Sequence, residues 1–332
     1  MTDAPNTTDA PKTRLNQGLL PLVGFALLTA ALDVFAGNQL QVHSPATVAA
    51  ISFTLATVFF LGGAMIRQGV AATLRPLRTR RYDVVMINVT TAVTWLSMLY
   101  ALKFLEPAVV NVVGLALGPL LMVLMSPLLR PGTSVLRAES VVSLGIAVLI
   151  GMLVWGSFTG RSAVGELSPV ETMVGVGLTL LTGLGSVTNV IYSKRLSDAK
   201  LTPQSVLAVR FFLMLAVTWT MVAASAEPGL GAAFLPSLLI AVIGVGIPLY
   251  LLQVGIKHTE PITASILLTL SPLFAFVLQL PDRRLTPSAL TLAGVVGIVV
   301  LVAAGMVVRT RHESQPATDP AHRPAVTSAD SN

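Results

Sequence analysis

Ten apolar stretches recur along the chain, near 18–37, 46–66, 83–102, 108–129, 138–157, 170–191, 204–224, 236–256, 262–280 and 288–308. Each is close to the roughly 20 residues that an α-helix needs to cross a hydrocarbon layer. Helices apolar on every side cannot form the surface of a water-soluble domain. The predicted fold class is therefore an all-α polytopic membrane protein with ten transmembrane helices. A charged fraction of only 11%, with mean hydropathy +0.80, agrees, since soluble chains carry about 25% charged residues. Pro45, Pro107, Pro203, Pro261 and Pro287 stand near expected helix starts, where proline gives up no needed donor and fixes φ for the first turn. Lys12 and Arg14 precede the first stretch as they would in a signal peptide. Its apolar part is longer than the 7–15 residues, roughly, of a signal h-region, so the chain is expected to keep it as a helix.

Charge placement gives the expected orientation. With the N-terminus cytoplasmic, sixteen Lys and Arg fall on the inner side, among them Arg67, Arg75, Arg78, Arg80, Arg81, Lys194, Arg195 and Lys200. Only Lys103, Arg161, Arg283 and Arg284 fall outside, the asymmetry that sets membrane topology. Both termini are predicted cytoplasmic, in a plasma or inner membrane. Residues 1–17 and 309–332 are polar and aperiodic and are expected to be disordered tails. The basic run from Arg67 to Arg81 reads first as a topology signal and second as a contact for anionic lipid headgroups. The +6 net charge has no aromatic-studded groove beside it, so nucleic acid is not an expected partner. With no cysteine, disulfides and Cys-based metal sites are excluded.

A Lys-x-x-Glu-Pro element occurs twice, as KFLEP at 103–107 and KHTEP at 257–261, an offset of 154. A second echo, PATVAAISFTL from Pro45 and PQSVLAVRFFL from Pro203, has an offset of 158. The chain thus divides into a first five-helix repeat at 18–157, a linker at 158–169 and a second repeat at 170–308. Five is odd, so the second repeat enters the bilayer from the opposite side and the two are inverted, the arrangement that supports alternating access. Locally, Lys103 and Lys257 would face the negative ends of the helices before them, and Glu106 and Glu260 the positive ends of those that follow. The same residues are candidate gates.

The segments YALKFLEPAVVNVVGLALGPLLMVL, GIKHTEPITASILLTLSPLFAFVL and PQSVLAVRFF resemble the drug/metabolite transporter superfamily, specifically its EamA-type ten-helix members. The likeness runs from about Gly18 to Val308. Ser52 departs from it, standing where the first repeat would often carry an Arg like Arg210. The resemblance implies a substrate path between spans one, three, four, six, eight and nine. Residue spacing offers candidates there: Asn88, Thr91 and Trp95 on span three, Asn111 on span four, and Tyr250 and Gln253 on span eight. Span nine adds Ser265 and Thr269. Gly175, Thr179, Thr182, Ser186 and Asn189 form a stripe down span six. Close helix packing is the alternative role for these small residues.

Two ionisable residues lie well inside the expected spans, Asp33 and Arg210. A charge at the bilayer centre costs about 2.5–3.5 kcal/mol on insertion scales, so such residues are functional candidates by default. Asp33 is the candidate coupling carboxylate. Arg210 either snorkels to the interface or meets an anionic solute. The four histidines fall in loops or tails and no HExxH or GxxxxGK[ST] motif occurs. Neither an enzyme, a metal site, a cofactor nor ATP-driven transport is expected. These features point to a secondary transporter of small organic solutes, an exporter coupled to protons or to the solute gradient, acting as monomer or homodimer. An importer or facilitator of the same fold, or a non-transporting receptor or scaffold, remains the alternative.

Overall fold

The computed structural model describes residues 10–129, 137–164, 167–226, 229–258 and 267–313. These form α1 (Ala10–Gln39), α2 (Pro45–Gln68), α3 (Val70–Thr79), α4 (Arg81–Phe104), α5 (Pro107–Leu129), α6 (Arg137–Phe158) and α7 (Pro169–Asp198). They continue as α8 (Pro203–Val209), α9 (Phe212–Ala223), α10 (Leu230–Leu239), a π-helical stretch (Ile240–Gly246), α11 (Ile247–His258), α12 (Ser271–Gln279) and α13 (Ala289–Glu313). No strand occurs among the described residues. Among the described residues, seven segments are long and apolar enough to cross a membrane: Gly18–Gln39, Pro45–Gln68, Arg81–Phe104, Val141–Phe158, Pro169–Asp198, Gln204–Ala223 and Leu230–Leu252. Pro107–Leu117 and Ala289–Gly305 are shorter apolar helical stretches. The protein is an all-α polytopic membrane protein. Exposed Val58, Phe59, Val85, Val148, Trp155, Leu235 and Val300 give it the apolar exterior that lipid requires.

Helix starts follow local chemistry. Proline opens α2, α5, α7 and α8. At α7 a capping box forms: the Ser168 hydroxyl accepts from the Glu171 backbone N–H while the Glu171 carboxylate accepts from that of Ser168. Thr202 caps α8 by accepting from the Ser205 N–H at 3.2 Å.

The basic run between the second and third expected spans folds as α3, which Gly69, at φ +82°, turns away from the end of α2. The expected seventh span is interrupted at Arg210 and Phe211, between α8 and α9. The eighth passes through the π-helical stretch. In the ninth, residues 259–266 lie outside the described residues, and α12 starts after a turn at Thr269–Leu270.

Packing pairs α4 with α7 and α1 with α11; α5 lies against α7, and α1 against α12; α6 meets α13. Glycines permit these approaches, as membrane helices that associate by close packing require. A Cβ on Gly185 would come within 3.0 Å of the Thr94 backbone, and one on Gly255 would run into Leu22. Near the centre, Phe53 of α2 meets the Trp95 ring edge-on at 5.1 Å and lies 5.3 Å from Phe211.

Candidate functional site

Three polar clusters interrupt the apolar interior. The first surrounds Arg210. Breaking a helix inside a span strands backbone donors and acceptors that lipid cannot satisfy. Asn88 of α4 supplies the missing partners: its amide donates to the Val209 carbonyl at 2.7 Å, and its carbonyl accepts from the Leu213 N–H at 3.2 Å. The side chain predicted to line a cavity therefore bridges the break. With the chain turned there, the Arg210 guanidinium donates to the Asn189 carbonyl oxygen at 2.6 Å and to the Thr91 hydroxyl at 3.3 Å. Asn189 in turn donates to Thr91 at 2.8 Å and to Thr90 at 3.2 Å. Among the described residues no carboxylate pairs with Arg210. Three residues singled out on separate spans, Thr91, Asn189 and Arg210, are brought into one network.

The second cluster joins α1, α5 and the start of α12. Asp33 is only 3% exposed. Its Oδ2 accepts from the Asn111 amide, which also donates to the Ser271 hydroxyl at 3.2 Å. Its Oδ1 has no hydrogen-bond partner among the described residues. Asp33 thus stands in the protein interior.

The third cluster surrounds Glu106 of the KFLEP element, which stands just before α5. Lys103 is exposed, whereas Glu106 is 1% exposed, and the two do not pair. Glu106 accepts from Gln279 of α12 at 3.0 Å, from the Thr291 hydroxyl of α13 and from the backbone of Ala163. Gln279 also accepts from the Ala108 N–H at 3.1 Å. Burial pushes the Glu106 carboxyl above its ordinary value, against the pull of those hydrogen bonds. Gln279 and Thr291 escaped the sequence reading, although each is a lone polar residue in an apolar run.

The other candidates divide. Trp95 packs against Phe53. On the span-six stripe, Thr179 and Thr182 donate to carbonyls of their own helix, and a Cβ on Gly175 would meet Phe104 and Leu105. The stripe is a packing surface along α4 and α5 until it reaches Asn189. Ser186 is partly buried and Thr269 buried. Tyr250 is 69% exposed and joins none of the three clusters. The side chains of Gln253 and Lys257, and all of Ser265 and Glu260, lie outside the described residues. A further contact was not foreseen: Asp83 of α4 and Arg195 of α7 form an ion pair at 2.9 Å, with the guanidinium 5.8 and 5.5 Å from the Tyr82 and Tyr192 rings.

These buried polar networks lie inside an all-helical membrane bundle, and among the described residues no group of His, Cys, Asp and Glu could hold a metal ion. Residues 173–308 match the EamA-like transporter family. That match supports membership of the drug/metabolite transporter superfamily. A solved crystal structure resembles it with a TM-score of 0.57 and 20% identity, over 90% of this chain and 99% of the other; likeness at that level concerns the fold. No curated protein sequence matches the chain. The EamA match suggests a membrane transporter of small solutes.

Proposed function

We propose that the protein is a secondary exporter of small organic solutes that works by alternating access, with proton exchange at Asp33 coupled to solute movement. The observation that carries this reading is the buried Asp33 carboxyl, with one oxygen held by Asn111 and the other without a partner among the described residues. A proton can join the second oxygen without breaking the bond to Asn111, and Asn111 also reaches Ser271 at the start of α12. A change of protonation is thereby passed to three helices. Arg210, which has only neutral partners, offers a contact for an anionic group of the solute.

Ten spans in two inverted repeats, at 18–157 and 170–308, complete the proposal. Its support is the repeated KxxEP element and a packing pattern in which α4 on α7 and α1 on α11 would exchange under a twofold axis in the membrane plane. On this reading the Asp83–Arg195 pair closes the basic end of the bundle.

A tolerance screen of deletion and overexpression strains supplies a solute, and proteoliposomes supply the test. With an imposed pH gradient, the wild type accumulates the solute, whereas Asp33→Asn carries out counterflow but no longer responds to the gradient. Undiminished gradient-driven transport by Asp33→Asn would remove Asp33 from the mechanism. Flux that neither saturates nor shows counterflow would replace the carrier with a channel.

A further inference from the structure

Beyond the transport path, a cavity of about 460 Å³ opens at the basic end of the bundle, between α3 and the connection from α7 to α8. Its floor is polar. Gln68 donates to the Ser205 hydroxyl at 3.0 Å, and Ser205 lies 2.8 Å from the Thr202 hydroxyl. Its walls carry three cations, Arg75 and Arg80 from α3 and its C-cap and Lys200 from the connection, and no carboxylate lines it. None of the three has an ion pair among the described residues.

Lys200 adds an independent observation. It is the one non-glycine residue with positive φ among the described residues, at +63°. It ends α7 in a left-handed turn closed by the Leu201 N–H on the Leu196 carbonyl at 3.2 Å, a position that favours glycine. A lysine there is held in a disfavoured backbone region, and its charge lines the cavity. Strain of this kind points to a role for the side chain.

Placement decides the ligand. α3 begins two residues after α2 ends and stops two residues before α4 begins, so it lies where two spans leave the bilayer. Thr73 and Pro76 are buried against the bundle while Val70, Arg75 and Arg78 are exposed, so α3 seats one face on the protein and leaves its arginines free at the level where the spans end. We infer that this cavity binds the phosphate-bearing headgroup of an anionic membrane phospholipid, with Arg75, Arg80 and Lys200 as its counter-charges.

Each Lys or Arg near an anionic lipid surface contributes enough for about a fivefold change in affinity. The test is native mass spectrometry of the full-length protein in detergent, titrated with phosphatidylglycerol, phosphatidylcholine and inorganic phosphate in separate arms. Wild type is expected to retain phosphatidylglycerol and not phosphatidylcholine. Arg75→Gln with Arg80→Gln and Lys200→Gln should weaken retention by roughly a hundredfold. Lys200→Gly is the decisive single variant, because glycine suits the turn: it should weaken retention about fivefold while the melting temperature holds or rises. Equal retention of phosphatidylcholine by wild type, or undiminished phosphatidylglycerol retention by Lys200→Gly, would overturn the assignment. Displacement of the lipid by equimolar inorganic phosphate would make the ligand a soluble phosphate and the lipid reading wrong.

Discussion

Asp33 and Glu106 are both buried carboxyls in the first half of the chain, yet they are held in opposite ways. Glu106 has donors on both oxygens, drawn from α12, α13 and the connection before α7. Asp33 has one side-chain donor on one oxygen and none on the other among the described residues. A fully satisfied buried group acts as a fixed joint, because each bond lost on moving exposes a polar atom with nowhere to go. A half-satisfied one can change state. On the proposed function, Glu106 is a structural joint, in line with its place before α5, and Asp33 carries the moving chemistry.

The comparison is broken most directly at Glu106. Glu106→Leu leaves the Gln279 amide, the Thr291 hydroxyl and the Ala163 backbone group without their acceptor, and should cost about 2–4 kcal/mol of stability in detergent unfolding. A loss below about 0.5 kcal/mol would mean that the joint is not one. The group also titrates. Its folded value lies above the ordinary 4.5, so its contribution is complete below 4.5 and declines as pH rises through the folded value. Glu106→Gln cannot titrate. Across that window the stability of wild type should fall relative to this variant as pH rises, and the opposite slope would contradict the burial argument.

Asn88 comes next. Replacing it with leucine strands the Val209 carbonyl and the Leu213 N–H at the break between α8 and α9, at an expected cost of about 2–3 kcal/mol. Asn88→Asp keeps the acceptor for Leu213 and loses the donor to Val209, so it should fall between wild type and leucine. At Asp33 the expectation differs in kind. Asp33→Asn retains an acceptor for Asn111, so stability should move by under about 1 kcal/mol while the gradient response disappears. A loss of stability as large as that of Glu106→Leu would make Asp33 another structural joint and erase the contrast.

Apolar length and proline placement made most of the helices legible, because lipid demands both: α2, α4 and α6 begin and end within two residues of the expected spans. Asp33 and Arg210 were legible as sites for the same reason, since a charge in an apolar run needs an explanation. The partners were not. Asn88 lies 125 residues from Leu213 and Gln279 lies 173 from Glu106, and such pairings depend on where helices break and cross, which spacing along one span does not encode. Helix α3 was hidden because its seven residues before Leu77 hold only three strongly apolar side chains, Val70, Leu74 and the ring of Pro76.

Tyr250 is the smallest and sharpest case. Spacing placed it on a polar face of span eight with Gln253, and an interior tyrosine would need a partner for its hydroxyl. In the structure it is 69% exposed and joins neither the Asp33 nor the Arg210 cluster, while the neighbouring Gly255 of α11 is the residue that receives Leu22 of α1. Tyr250→Phe should therefore change stability by less than about 0.5 kcal/mol, as surface substitutions do, and leave transport of any established solute at the wild-type rate. A marked loss of transport with unchanged stability would put Tyr250 on the solute path, outside the two clusters on which the proposed function rests.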